Sequence, residues 1–497
     1  MGIQQTASNS NKFISDILWV ALYQLFTSLL GIVTLPALTK TYTSEIYGIW
    51  TQVNVTIGLL FPIITLQFVT AVVRFLAGEE DKAKRRRSLG TMLYAILFFS
   101  FLILLVGNLW ASQISVFLFD SASYSIFVRL TFFWAFTNAL FSFLIAYLRA
   151  MSRIKRLSII MTAFSASKML LIVVLVLSGL TLQWVIAGMI FISLIFSVYV
   201  LFIIIKDIGF PVPNFGELKM FLAFSIPQIP VGFLTWIMSA SDRYFITHFI
   251  NLSATGIYGS SSSLAGLINI VYGPIGYVLF PVVSKTWEQN KKADTRIYFE
   301  YSIKLFLTLA IPAAIGLAML SQSLLSILAT SEYLAGILLV LLIAASQIFL
   351  GIFQINEYIV YLVKQTKWLP LMIVVSTGVS IGLNVVLIPH LGIQGVAISK
   401  IAAYFVLAVI VTIWTRKVIH FNIDLKYLSK VIAASLVMAT GLYFWKGTGV
   451  LHIILAAVAG ILAYGVVMFL LKALSAQDKK LIRQTLSGII PWLHRKD

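Results

Sequence analysis

The chain has 497 residues, 60% of them hydrophobic and only 11% charged, with a mean hydropathy of +0.99. A soluble protein of this length cannot cover so much apolar surface with so few polar side chains. Cysteine is absent, which removes disulfides, thiol nucleophiles and thiolate metal sites, and the net charge of +19 reads as basic membrane-flanking loops, with no nucleic acid as partner.

After a polar start from Gln4 to Asn11, apolar segments follow at 14–35, 46–73, 88–109, 123–148, 157–179, 183–205, 219–241, 252–280, 301–329, 334–359, 368–388, 392–415, 429–445 and 449–471. Roughly 20 apolar residues cross a hydrocarbon core of about 30 Å. Backbone polar groups in lipid need partners inside the chain. The segments lack the alternation of barrel strands. The expected fold is therefore all-α and polytopic, with about 14 transmembrane helices. The first segment has no small-residue cleavage site and reads as a helix, not a signal peptide.

Charge in the loops sets the expected orientation. With the N-terminus in the cytoplasm, inner loops hold Lys82, Lys84 to Arg87, Arg149, Arg153, Lys155, Arg156, Lys285, Lys291, Lys292, Arg296, Arg416, Lys417, Lys426 and Lys430. The C-terminal tail adds Lys472, Lys479, Lys480 and Arg483, whereas outer loops keep little beyond Lys40 and Lys446. Both termini are expected in the cytoplasm of a multi-pass cell-membrane (inner-membrane) protein.

The second span opens with Glu45-Ile46-Tyr47-Gly48-Ile49-Trp50 and the eighth with Thr255-Gly256-Ile257-Tyr258-Gly259-Ser260, placing Tyr47 and Tyr258 211 residues apart. Basic loops follow both. Six helices separate the copies, an even number, so the repeats are parallel. The expected organisation is a lobe at 1–205, a linker at 206–218 with Pro211, Pro213 and Gly216, a second lobe at 219–415, and helices 13 and 14 with a basic tail at 416–497.

Charge inside a span costs about 2.5–3.5 kcal/mol at a helix centre and needs a partner, a cavity or an interface. Lys168 stands midway along the fifth span, Arg129 in the fourth and Lys400 in the twelfth. Arg74 and Lys304 stand near cytoplasmic ends, where snorkelling is ordinary. Asp242 and Arg243 are adjacent, and neighbours one apart do not face each other along a helix, so they are expected to fix separate helices instead of pairing. Glu357 is expected to pair with Lys364 or another loop cation.

Gln24, Gln52, Asn54, Gln67, Asn269, Gln347, Gln354 and Asn384 either line a polar passage or join helices by hydrogen bonds. Pro62, Pro227, Pro230, Pro274, Pro281 and Pro312 each remove a backbone donor and are candidate bends for gating. Enzyme chemistry has no foothold. There is no phosphate loop, G-x-S-x-G elbow or H-E-x-x-H pair. The histidines at 248, 390, 420, 452 and 494 lack ligand spacing, so no metal is expected. Asp207, Glu217 and Asp294 form no acid constellation.

Three stretches carry a resemblance. They are Leu35-Pro36 followed by Glu45 to Trp50, Ser241-Asp242-Arg243-Tyr244-Phe245-Ile246 leading to Gly256-Ile257-Tyr258, and Leu391-Gly392-Ile393-Gln394-Gly395-Val396-Ala397. With spans and repeat, residues from about 10 to 470 resemble the polysaccharide transporter branch of the superfamily that includes multidrug and toxic compound extrusion (MATE) transporters. The resemblance implies a MATE-like two-lobe fold and a monomeric flippase. Such a protein moves a polyprenyl-linked oligosaccharide, such as an O-antigen repeat unit, from the cytoplasmic to the outer leaflet by alternating access. Membrane lipids and glycosyltransferases or a polysaccharide polymerase would be its partners.

Lys168, Arg129 and Lys400 are the first candidates for the pyrophosphate headgroup, chosen by depth and charge. No cofactor is expected, and coupling to H+ or Na+ stays open. The alternatives are a cation-coupled drug exporter, a peptidoglycan lipid-precursor flippase and, more distantly, a glycan polymerase or ligase. A drug exporter would favour deep carboxylates; Asp16 lies at the very start of the first span and the deeper charges are mainly basic.

Overall fold

The computed structural model describes residues 19–473 except 21, 25, 28, 29, 32, 335, 423, 446 and 448. Asp16, Lys446, Lys479, Lys480, Arg483 and His494 lie outside the described residues.

Twelve described helices are long and apolar enough to span a membrane: Ser44–Ile64, Lys82–Leu109, Ala122–Ala150, Ile154–Leu177, Leu182–Ile208, Phe215–Ala240, Lys292–Leu328, Ile337–Leu362, Trp368–Leu391, Ile393–Arg416, Leu425–Phe444 and Val450–Leu470. They match twelve of the expected segments. Of the other two, 14–35 is only partly described, and 252–280 is divided into Leu252–Ala265 and Asn269–Glu288 by a short 3-10 turn.

Two further segments expected as single helices are also broken. The Ser44–Ile64 helix contains Pro62 and stops, Leu66 and Gln67 adopt left-handed backbone angles (φ 48° and 56°), and a new helix runs Phe68–Leu76. In the seventh segment, Leu218–Ser225 and Ile229–Ala240 flank a 3-10 turn that contains Pro227, and Pro230 opens the second piece. Proline supplies no amide hydrogen, so the ladder loosens where these residues fall. Helix starts are set locally: Thr43 caps the amide of Ile46, Asp81 that of Ala83 and Asp424 that of Tyr427.

The chain divides into two compact units. The first comprises residues up to 263, 328–335 and 366–403; the second comprises 264–327, 336–365 and 404 onward. In the first, helix Ser125–Ala150 is central, packing on Leu182–Ile208, Ser44–Ile64 and Phe68–Leu76. It buries Trp134, Phe141, Phe143 and Tyr147. In the second, Leu425–Phe444 and Val450–Leu470 pack along Ala434, Ala456 and Gly460, small residues that let helices approach closely in lipid. Large apolar side chains such as Phe101 and Phe469 remain exposed, as befits a surface solvated by hydrocarbon.

Candidate functional site

A buried polar cluster lies in the first unit, where helix Ile229–Ala240 ends at Ser241 and Asp242 opens helix Asp242–Phe249. Asp242 Oδ2 accepts from Lys400 Nζ at 2.7 Å and from the Tyr258 hydroxyl at 2.7 Å. Its Oδ1 accepts from Arg243 Nη1 at 2.7 Å. Ser239 O accepts from Lys400 Nζ at 3.0 Å and from Arg243 Nη1 at 3.2 Å.

Asp242, Lys400 and Tyr258 are buried. The cluster thus joins two cations to one carboxylate, and such a group is tolerable out of water only while the charges face each other. The expectation that Asp242 and Arg243 would not pair is overturned. The helix breaks at Ser241, so Arg243 sits in a first turn and folds back over Ser239 instead of following interior helix spacing. Lys400 belongs to this cluster, with Asp242 as its counter-ion.

Lys168 has a different environment. It lies near the middle of helix Ile154–Leu177, its ammonium 5.3 Å from the Trp134 ring centre and 5.2 Å from that of Phe164. Ring faces attract a cation without neutralising it. No carboxylate or hydrogen-bond partner of Lys168 is found among the described residues. Trp134 in turn lies 5.5 Å from Trp50. Trp134 and Phe164 thus hold a positive charge at mid-helix depth with no anion beside it among the described residues.

Helices Ser44–Ile64 and Leu252–Ala265 cross on glycine. A Cβ on Gly48 would stand 2.1 Å from Leu252 O, and one on Gly256 2.1 Å from Ser44 O. Neither position admits a side chain without moving a backbone. Around the crossing, Ser44 bonds through its amide (3.1 Å) and hydroxyl to Glu332. The Tyr333 hydroxyl donates to Tyr42 O at 2.7 Å, and the Thr39 hydroxyl to Leu328 O at 2.7 Å. Burial pushes the Tyr333 phenol up, and the Glu332 charge adds to the rise, so Tyr333 keeps its proton and its donor role. Farther along, Thr56 and Tyr244 share a hydrogen bond of 2.7 Å, and Trp236 Nε1 donates to Val55 O at 2.8 Å.

Two helix breaks also meet in this unit. The Thr70 hydroxyl donates to Gln228 Oε1 at 3.1 Å, and the side chains of Gln67 and Pro62 lie against Gly232. Discontinuous helices facing each other are the usual scaffold of transporter sites.

The other sequence candidates are dispersed. Arg129 and Arg74 are exposed; Arg129 shares its helix face with exposed Ile126 and Phe133. Lys304 stands 4.2 Å over the Tyr427 ring in the second unit. Gln24 and Asn54 are exposed, and Asn54 donates to Trp50 O. Gln52 and Asn384 are buried, their amide groups unbonded among the described residues. Asn269 donates to Gln347 at 3.2 Å. Glu357 accepts from Tyr361, one turn on, and not from Lys364 as expected; Tyr361 lies on the adjacent turn of the same helix. Pro312 lies inside helix Lys292–Leu328.

Sequence reasoning missed Tyr258, Glu332 and Trp134 as partners. The repeated Tyr-Gly pairs flagged the Gly48 and Gly256 neighbourhood but not the crossing itself. Nothing in the local sequence of Glu332 announces a bond to Ser44, 288 residues away.

Broken helices, a glycine-sealed crossing and charge held at depth define a polytopic membrane protein of MATE-like fold. The fold is also seen in the lipid II flippase MurJ in an inward closed conformation (TM-score 0.75, 15% identity, 91% of this chain and 98% of that one). It is seen again in an inward-facing multidrug resistance MATE family transporter of the MOP superfamily (TM-score 0.65, 14% identity, 82% and 96%). Residues 13–287 match the family Polysacc_synt, described as polysaccharide biosynthesis protein, and the chain belongs to that family.

In Haloferax volcanii, the probable low-salt glycan biosynthesis flippase Agl15 is 21% identical over 234 residues, 47% of this chain and 50% of its own. The uncharacterized membrane protein MJ1068 of Methanocaldococcus jannaschii is 24% identical over 172 residues, 34% of each. The chain therefore matches half or less of the length of these relatives.

Proposed function

We propose that this protein is a flippase that carries a polyprenyl-(pyro)phosphate-linked oligosaccharide from the cytoplasmic to the outer leaflet by alternating access, for assembly of cell-surface polysaccharide. The observation that carries this reading is Lys168: a mid-helix ammonium held between Trp134 and Phe164 with no carboxylate partner among the described residues. Such a cation suits an anionic cargo, because Coulomb attraction grows as the local dielectric falls. Family membership and the likeness to Agl15 support the glycan part of the reading.

In this reading the basic loops lie in the cytoplasm and the Gly48–Gly256 crossing closes the outer side. Lobes 1–205 and 219–415 are the bodies that move. The headgroup enters from the cytoplasmic side, meets Lys168, and leaves when the crossing separates, while the prenyl chain stays in lipid. Partners are the glycosyltransferases that build the cargo and the polymerase that consumes it.

The test is transfer of fluorescent prenyl-pyrophosphate oligosaccharides across proteoliposome membranes. Lys168→Ala is expected to slow transfer about tenfold, the loss of one charge-assisted contact of ~1.4 kcal/mol, while Lys168→Arg retains most of it. Transfer by Lys168→Ala at the wild-type rate overturns the role of Lys168.

A further inference from the structure

We propose that the seam between helices Asn269–Glu288 and Ile337–Leu362 in the second unit is a carbohydrate-binding surface that reads the glycan of the cargo; this rests on the flippase reading. Asn269, Tyr272, Gly276 and Phe280 are spaced to share one face of the first helix, and Gln347, Gln354, Tyr358 and Tyr361 one face of the second. The two faces meet. Asn269 donates to Gln347 at 3.2 Å and the hydroxyls of Tyr272 and Tyr358 are 2.9 Å apart, while along the second helix Tyr361 donates to Glu357. Phe280 lies 5.1 Å from the Tyr358 ring and 6.3 Å from that of Tyr361. Gly276 makes room, because a Cβ there would stand 2.7 Å from Tyr358 Oη.

The seam is open. Tyr361 is 38% and Phe280 37% exposed, and Glu357, Gln354 and Tyr358 are half-buried. A carboxylate and amides at the rim are costly against hydrocarbon, so the seam faces water and not lipid tails. None of the seam residues named is a lysine or arginine, and the one cation of the two helices, Lys285, stands in the last turn of the first, which makes this a poor seat for pyrophosphate.

Sugar fits the chemistry that remains. A pyranose ring presents C–H groups that stack on aromatic rings. Its rim of hydroxyls both donates and accepts, matching amides, a carboxylate and phenols.

Proteoliposomes carrying Tyr361→Ala, Tyr358→Phe or Glu357→Gln would be compared with wild type on two substrates sharing one prenyl pyrophosphate, one bearing an oligosaccharide and one a single sugar. The oligosaccharide is expected to move about tenfold more slowly in Tyr361→Ala, the cost of truncating an anchoring tyrosine. The single-sugar lipid, with one ring at most to stack, should be slowed distinctly less, and an unchanged detergent melting temperature reports an intact fold. Tyr358→Phe, lacking one hydroxyl, should show the same selectivity to a smaller degree. Equal slowing of both substrates, or of neither, overturns the glycan-reading role while leaving the flippase reading standing. Competition by a lipophilic cation but not by free oligosaccharide also overturns it. A wild type that moves neither substrate overturns the flippase reading itself.

Discussion

Charged side chains at depth fall into two energetic classes here, and substitution should separate them. Asp242 is buried with Lys400 and Arg243 as its counter-ions. Asp242→Asn strands two cations, so a loss of about 3–5 kcal/mol is expected, read as a large fall in the detergent melting temperature. Adding Lys400→Met to it should recover part of the loss; no recovery would show that Lys400 and Asp242 do not depend on each other. Lys168 has ring faces and, among the described residues, no carboxylate to strand. Lys168→Met is therefore expected to melt within about 0.5 kcal/mol of wild type or above it, since nothing is left unpaired. A sharp fall in melting would assign Lys168 to the structural class. Depth and charge singled out Lys168 and Lys400 in the sequence. Which one had a counter-ion was not legible, because Lys400 and Asp242 are 158 residues apart.

Alternating access, as proposed, requires helices to separate, and the glycine crossing is where that can be tested. The crossing of Ser44–Ile64 with Leu252–Ala265 depends on two missing side chains. Gly48→Ala or Gly256→Ala forces backbone against Cβ, an overpacking cost of about 1–3 kcal/mol that falls on the crossed arrangement alone. The 497-residue chain lacks cysteine, so a Ser44→Cys/Glu332→Cys pair can be read without background. It is expected to cross-link efficiently, and Gly48→Ala should reduce the yield several-fold; undiminished cross-linking would contradict the role of the crossing. The prolines foretold the interruption near Pro62 and Pro227. The left-handed pair Leu66–Gln67 was hidden, because neither residue is a glycine or asparagine that would announce it.

At the scale of the molecule, apolar length and loop charge were enough for the all-α membrane fold. Segment 252–280 was the least legible, because its apolar run continues through the 3-10 turn Gly266–Ile268 that divides it. Hydropathy measures composition and is blind to such a turn. The topology makes its own prediction. Ser123→Cys should react with an impermeant maleimide added outside intact cells, and Ser152→Cys only after permeabilisation; the reverse pattern would invert the orientation.

The central claim is transport of a glycan on an anionic lipid, and one measurement addresses it directly. Purified protein is reconstituted into vesicles with a fluorescent prenyl-pyrophosphate oligosaccharide, and the label reaching the opposite leaflet is followed by a membrane-impermeant quencher. The account predicts transfer well above that of protein-free vesicles and a marked loss with Lys168→Ala. Transfer no faster than in protein-free vesicles for every prenyl-linked glycan offered would contradict it.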